Sequence, residues 1–189
     1  LEPVDLPAAT MTDKSTHTVI DVLMAYPNGV RKMSKDIAGL VQTSLNLGIL
    51  STIKPDDPST NGMVSFKSSV RSSIGSEKDA LLCSLKSLAT LAGGTLTVAG
   101  DYPAWEYRED SPLRDLMVKI FKQQYGKEPV IQALHAGVEC GIFASKLPGL
   151  DCVSFGPDMD DIHTTNESMN VESVRRTWEY TLEILKELK

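Results

Sequence analysis

The spacing of apolar residues and the capping residues along the chain predict five helices separated by extended segments. The predicted helices are residues 15–26, 76–92, 111–125, 138–147 and 170–188. Ser111 is suited to cap the third helix because its hydroxyl can accept a hydrogen bond from a free backbone N–H, and Pro112 fits the first helical position. The last helix is amphipathic, which predicts that one of its faces packs against a core.

Alternation of side chains predicts strands between the helices. In residues 63–73, Met63 and Arg71 fall on one face and Val64 and Phe66 on the other, as the two-residue period of a strand requires. Residues 37–50 are also extended, and the polar loop 54–62 between the two segments predicts a hairpin. Further strands are predicted over 95–107, 129–134 and 151–156.

The order of these elements predicts an α/β protein with two domains. The boundary between them falls near residues 101–111. The residues before it combine helices with a hairpin, which is typical of an α+β layer. The residues after it read helix, strand, helix, strand, helix, the pattern of half of a doubly wound α/β domain.

Composition excludes some functions. The chain of 189 residues is 41% hydrophobic, enough for a folded core, and its net charge of −6 without a basic stripe predicts no nucleic-acid partner. No apolar run approaches the ~20 residues of a membrane helix, so no membrane partner is predicted. The three cysteines, odd in number and without CxxC spacing, predict reduced thiols in a cytoplasmic protein. The chain begins at Leu1 without a methionine, and we expect natural polypeptide upstream of it.

Candidate chemistry lies where two predicted strands end. In α/β sheets ligands gather at the carboxyl ends of strands, and residues 135–140 and 156–163 follow two such ends. If the two strands are neighbours, His135, Gly137, Glu139 and His163 share one rim. Cys140 beside His135 could form a thiol–imidazole pair, but no third orienting group is visible and we do not predict one.

Each candidate has a structural alternative. Neutral imidazole is the commonest metal ligand, yet His163 could instead be a solvent-exposed or capping histidine. Gly137 could let backbone amides approach an anion, or could serve a tight turn. Glu139 could contact a ligand, or could favour a helix dipole from the first turn. The guanidinium of Arg71 is suited to grip a carboxylate through two hydrogen bonds, or could form a surface ion pair.

Several motifs together resemble a known family. They are "PNGV", "DIAGLVQTSLNLG", "SSVRSS", "DSPL", "GKEP", "HAGVECG" and "SFGPDMDDIHTTNE". Their order and spacing over essentially the whole chain resemble the C-terminal part of the bacterial aminoacyl-histidine dipeptidases, the Xaa-His (carnosine-type) dizinc exopeptidases. The last motif departs from the family's Gly-Pro-His form by carrying Asp160-Asp161-Ile162 before the histidine.

The resemblance implies that the chain contains parts of two domains with different functions. Residues 1–105 would be the C-terminal part of a lid domain that contacts substrate and forms a homodimer. Residues 106–189 would be the C-terminal part of a mixed-sheet α/β zinc-peptidase domain.

The resemblance also implies roles for the candidate residues. His163 would ligate metal, Arg71 would bind the carboxylate of a dipeptide substrate, and Gly137 would line the same pocket; we extend substrate binding to Glu139 and His135. The family's other zinc ligands, its bridging carboxylate and its general-base glutamate lie upstream, so this segment holds no catalytic residue. We therefore expect two zinc ions in the full-length subunit and none on this chain alone. The alternative is a non-catalytic domain that dimerises or binds a small molecule.

Overall fold

The computed structural model describes residues 10–55, 61–133 and 139–188, and the chain divides into two compact units, Leu1–Asp101 and Tyr102–Lys189. The elements of the first unit are α1 (Asp13–Ala25), β1 (Gly29–Met33), β2 (Val41–Ile53), β3 (Met63–Ser72) and α2 (Gly75–Leu91). Those of the second unit are α3 (Pro112–Tyr125), α4 (Glu139–Lys146), β4 (Met159–Asp160), β5 (Ser168–Met169) and α5 (Val171–Glu187). No helix in the described ranges has the length and hydrophobicity that crossing a membrane would require.

The first unit is built on an antiparallel sheet in which β2 is the central strand, between β1 and β3. Leu45 of β2 is only 1% exposed and clusters with Leu81 and Leu85 of α2, while Tyr26 and Val70 pack at the margin of this cluster. The apolar side of the sheet is therefore covered by a helix that follows β3 in the chain.

The predicted hairpin is confirmed as β2 and β3. Residues 29–33 form an edge strand that was not predicted; all five residues are exposed, so no buried face marks the strand in the sequence. Helix α2 begins at Gly75 after Ile74 and has no side-chain cap.

The core of the second unit lies between α3 and α5. Met117 and Ile120 of α3 pack against Tyr180 and Ile184 of α5, and the Tyr180 hydroxyl donates a 2.6 Å hydrogen bond to the Met117 carbonyl. The predicted cap of α3 is confirmed, because the Ser111 hydroxyl accepts a hydrogen bond from the backbone N–H three residues later.

Three predicted strands are not formed within the described residues. Residues 129–133 and 151–156, and the earlier segment 95–107, belong to no strand in the structure, and residue 134 lies outside the described ranges. A strand is defined by its backbone ladder to a neighbouring strand, and these segments belong to neither of the two sheets in the described residues. Val130 is consequently 82% exposed and Phe155 46% exposed, although both occupy apolar runs that predicted burial.

Candidate functional site

His163 lies in the short loop that joins β4 to β5. Its side chain is exposed, and its backbone adopts a left-handed conformation with φ of 68°. Its backbone N–H donates a 2.7 Å hydrogen bond to Oε2 of Glu167. The loop therefore presents an imidazole to solvent from a backbone conformation that few non-glycine residues adopt.

Arg71 lies near the end of β3, opposite Ser44 of β2, and its side chain is exposed. Among residues 10–55, 61–133 and 139–188, no carboxylate lies within ion-pair distance of its guanidinium. Within that part of the chain the surface ion pair considered from sequence is absent, and the guanidinium is available to an external anion.

The remaining candidates flank the start of α4. Glu139 is the first residue of that helix and is exposed, a position where the helix dipole favours a carboxylate. His135 and Gly137 lie outside the described residues. Burial raises the pKa of the Cys140 thiol, and the neighbouring Cys152 raises it further. A raised pKa leaves little thiolate at neutral pH, which argues against a cysteine nucleophile here.

The imidazole of His163 is a suitable type of zinc ligand, but the described residues supply too few ligands for a zinc site. Imidazole nitrogen is a common zinc ligand, and a catalytic zinc centre takes three protein ligands plus water. No group of three or more histidine, cysteine, aspartate or glutamate side chains in the described ranges could hold a metal ion. His163 alone could supply one imidazole ligand, and the described residues do not complete a metal-binding set around it.

Asp151 has a structural role that sequence reasoning missed. Its Oδ1 accepts a 2.6 Å hydrogen bond from the Ser111 hydroxyl, and its Oδ2 accepts a 2.8 Å bond from the Leu113 N–H. Burial alone would raise the pKa of Asp151, but these two bonds, with Arg108 and Arg114 nearby, lower it below its ordinary value. The ionised carboxylate fixes the start of the segment leading to the His163 loop onto the first turn of α3.

In the first unit, the carboxylate of Glu77 likewise holds separate elements together, because it bonds α2 to β1 and β2. Its carboxylate accepts hydrogen bonds from the Lys32 ammonium, from Gln42 Nε2 at 2.8 Å and from Thr43 Oγ1 at 2.5 Å. The hydrogen bonds from Lys32 and Thr43 lower the pKa of Glu77 to about 2, although burial acts in the opposite direction. Thr43 is in turn 2.9 Å from the Ser72 hydroxyl, so the network reaches the residue next to Arg71.

The second unit also contains a solvent-open cavity of about 1040 Å³. It is lined by parts of α3 and α5 and by segments 104–108, 129–133 and 149–156. Two of these segments include the apolar runs that find no strand partner, so the cavity lies beside unpaired backbone.

The sequence profile of peptidase family M20/M25/M40 matches residues 12–187, nearly the whole chain. The chain belongs to this family. It is 37% identical over 188 residues to the cytosol non-specific dipeptidase of Escherichia coli (strain K12), an alignment that covers 100% of this chain and 37% of that protein. The chain thus spans little more than a third of the length of this M20 relative.

Solved structures agree with the family assignment. The crystal structure of aminoacylhistidine dipeptidase from Vibrio alginolyticus superposes with a TM-score of 0.85 at 33% identity, covering 97% of this chain and 36% of that one. Aminopeptidase PepT from Bacillus cereus ATCC 10987 superposes with a TM-score of 0.69 at 19% identity, over 91% of this chain and 44% of that one, which supports the fold alone. The α/β fold class and the resemblance to aminoacyl-histidine dipeptidases are confirmed.

Proposed function

We propose that this chain is the C-terminal portion of a dizinc exopeptidase that hydrolyses dipeptides of the Xaa-His type. The observation that carries the proposal is the exposed imidazole of His163, held on a left-handed backbone in a chain that belongs to the M20 family over residues 12–187. The names of two relatives, a non-specific dipeptidase and an aminoacylhistidine dipeptidase, support the substrate class.

His163 would be the metal ligand that this part of the protein contributes. Its side chain faces solvent, so it can meet ligands supplied by polypeptide outside the described residues. When bound, the zinc ions would polarise the scissile carbonyl and activate the attacking water. The general base that moves the proton would also come from upstream, so this chain alone would be inactive.

Arg71 would make the enzyme an exopeptidase by binding the free carboxylate at the substrate's C-terminus. A guanidinium with no carboxylate partner in the described ranges can form two parallel hydrogen bonds with that group. Gly137 and His135, which lie outside the described residues, would also bind the substrate. Glu139 would add a substrate contact from the first turn of α4, where it is exposed.

Residues 1–105 would be lid and residues 106–189 would be the end of the catalytic domain. The unpaired segments 129–133 and 151–156 support the second assignment, since central strands of an α/β sheet lose their partners when the rest of the sheet lies on other polypeptide. The cavity beside them would then be filled by strands from the upstream part of the domain.

The lid would also form a homodimer in the cytoplasm. Beyond Gly48, the β2–β3 hairpin carries a group of exposed apolar side chains, which are Ile49, Leu50, Ile53 and Met63. Ile53 lies opposite Met63 across the hairpin, so these two exposed side chains share one face, and exposed apolar surface commonly marks a protein interface. We expect Ile53→Lys to shift the complete protein from dimer to monomer in analytical ultracentrifugation; an unchanged dimer would remove this hairpin from the interface.

A non-catalytic domain that dimerises or binds a small molecule is the second candidate, favoured by the large cavity in the second unit. The zinc content of the isolated chain and of the complete protein distinguishes this candidate from the dipeptidase. The dipeptidase proposal expects near-zero zinc on the isolated chain and two ions per complete subunit. A complete protein without zinc or hydrolysis would favour the binding domain.

The decisive activity test compares His163→Ala with His17→Ala in the complete protein. His17 is an exposed histidine of α1, so its replacement controls for the loss of an imidazole elsewhere. We expect His163→Ala to lose at least a hundredfold in kcat for Xaa-His dipeptides and His17→Ala to remain active. Equal hydrolysis by both variants would remove His163 from the site.

Carboxylate binding by Arg71 is tested with a matched pair of substrates. A charge-assisted pair contributes about 1.5–3 kcal/mol, so Arg71→Ala should raise KM for a free dipeptide by ten- to a hundredfold. The corresponding dipeptide amide should be little affected, and Arg175→Ala, a surface arginine of α5, serves as the control. Equal losses on both substrates would argue against carboxylate recognition.

A further inference from the structure

The loop that carries His163 is closed by a short frame of backbone hydrogen bonds. Met159 pairs with Met169 and Asp160 with Ser168, and the Asn170 N–H donates a 3.0 Å bond to the Asp158 carbonyl. The two ends of the loop are therefore held together, and only residues 161–167 lie outside the ladder.

This frame is attached to the beginning of α5. The Asp158 N–H donates a 2.8 Å hydrogen bond to the Ser173 hydroxyl, and Ser173 is only 3% exposed. The Asp158 carboxylate also forms an ion pair with Arg176, at 3.1 Å. Because α5 belongs to the core of this unit, the frame gives the loop a fixed base.

Within the loop, two non-glycine residues have left-handed backbones, Asp161 with φ of 51° and His163 with φ of 68°. Such conformations persist only where surrounding contacts hold them. At Asp161 the carbonyl accepts two bonds from Thr164, from its N–H at 3.1 Å and its hydroxyl at 2.7 Å. At His163 the contact is the 2.7 Å bond from its N–H to the Glu167 carboxylate.

We infer that Glu167 is a positioning residue, which holds the backbone of His163 in the left-handed conformation that presents its imidazole to the metal. The inference rests on the proposed role of His163 as a ligand. The Oε2 atom of Glu167 accepts the hydrogen bond from the His163 N–H. Carboxylate acceptors form strong hydrogen bonds with backbone amides. Without this acceptor the loop would sample other backbone conformations.

The expected effect on metal binding follows from the fraction of molecules whose His163 loop is in the binding-competent conformation. The apparent dissociation constant equals the intrinsic one divided by the fraction of molecules in the binding-competent conformation. If loss of the acceptor lowers that fraction to about one tenth, affinity falls about tenfold, the lower end of the range seen when groups that orient metal ligands are removed. The imidazole itself remains, so the loss should be smaller than in His163→Ala.

The test uses the complete protein, with zinc affinity measured by competition against a chromophoric chelator. Glu167→Ala should weaken zinc binding about tenfold, and Glu167→Asp should do the same because its carboxylate is one methylene too short. Glu167→Gln keeps an oxygen acceptor at the same reach and should stay within about threefold of the parent protein. Glu172→Ala, which removes an exposed carboxylate at the start of α5, is the matched control and should leave affinity unchanged.

A metal-free readout separates this inference from the proposed function. In the apo protein, the amide of His163 should exchange with deuterium faster in Glu167→Ala than in Glu167→Gln or Glu172→Ala. If Glu167→Ala neither weakens zinc binding nor speeds that exchange, the positioning role is wrong, even where His163→Ala loses zinc. If Glu167→Gln loses as much affinity as His163→Ala, Glu167 is a ligand and the inference is also overturned. If His163→Ala binds zinc normally, the proposed function itself fails.

Discussion

Replacing Glu77 by glutamine should destabilise the first unit at neutral pH and much less in acid. The Glu77 carboxylate joins α2 to two strands through the Lys32 ammonium, Gln42 Nε2 and the Thr43 hydroxyl. Glutamine preserves the length of the side chain but removes its charge and one of its two acceptor oxygens. The substitution therefore probes the ionised carboxylate specifically.

The size of the effect follows from the pKa of Glu77, which falls from 4.5 to about 2 on folding, first through the Lys32 hydrogen bond and then through that of Thr43. At about 1.4 kcal/mol per pH unit, this difference corresponds to about 3–4 kcal/mol of stability. Water reaches the side chain, which is 23% exposed, so we expect about 2 kcal/mol. Because folding lowers the pKa, the contribution is fully present above about pH 4.5 and is lost as the pH falls towards 2.

Urea unfolding followed by circular dichroism at pH 7 and at pH 3 measures this effect. Glu77→Gln should lower the free energy of unfolding by about 2 kcal/mol at pH 7, with a clearly smaller difference from the parent protein at pH 3. Glu179→Gln, at an exposed carboxylate of α5, is the control and should change stability by less than about 0.5 kcal/mol. Equal destabilisation by Glu77→Gln at both pH values would refute the electrostatic reasoning.

Three further changes test the second unit, each by urea unfolding at pH 7. Asp151→Ala should cost about 2 kcal/mol because it leaves the Ser111 hydroxyl and the first turn of α3 without a charged acceptor, whereas no loss would show that water replaces the carboxylate. Ile184→Ala should cost about 2–5 kcal/mol, since this side chain is 6% exposed in the core; less than 1 kcal/mol would mean that the core collapses into the space. Gly126→Ala should cost about 1 kcal/mol because Gly126, just after the last turn of α3, has a left-handed φ of 66° that alanine adopts poorly. A stabilised variant would contradict that reason.

Local signals were enough to place some elements from sequence. The third helix was predicted because Ser111 and Pro112 are short-range signals for its start, and the structure begins the helix there. The edge strand Gly29–Met33 was missed because its five residues are all exposed and carry no buried-face pattern. Residues 129–134 and 151–156 were predicted as strands from their apolar character, but pairing depends on neighbours that no local pattern supplies.

The residues of the candidate site were likewise predicted from sequence only in part. Residue chemistry and the family motif made His163 and Arg71 candidates, and their exposure agrees with a role towards an external partner. The anchoring role of Asp151 could not be predicted, because its partner Ser111 lies 40 residues away in the chain. The contact between Glu167 and the His163 backbone spans only four residues, yet it depends on a left-handed conformation that the residue types do not reveal.

The proposed dipeptidase function requires that His163 completes a zinc site with ligands from upstream polypeptide. Zinc bound per subunit should be measured after dialysis against a weak chelator, in the complete protein and in its His163→Ala and His17→Ala variants. We predict two zinc ions for the parent protein and for His17→Ala, and a clear loss of zinc in His163→Ala. Two retained zinc ions in His163→Ala would contradict the account.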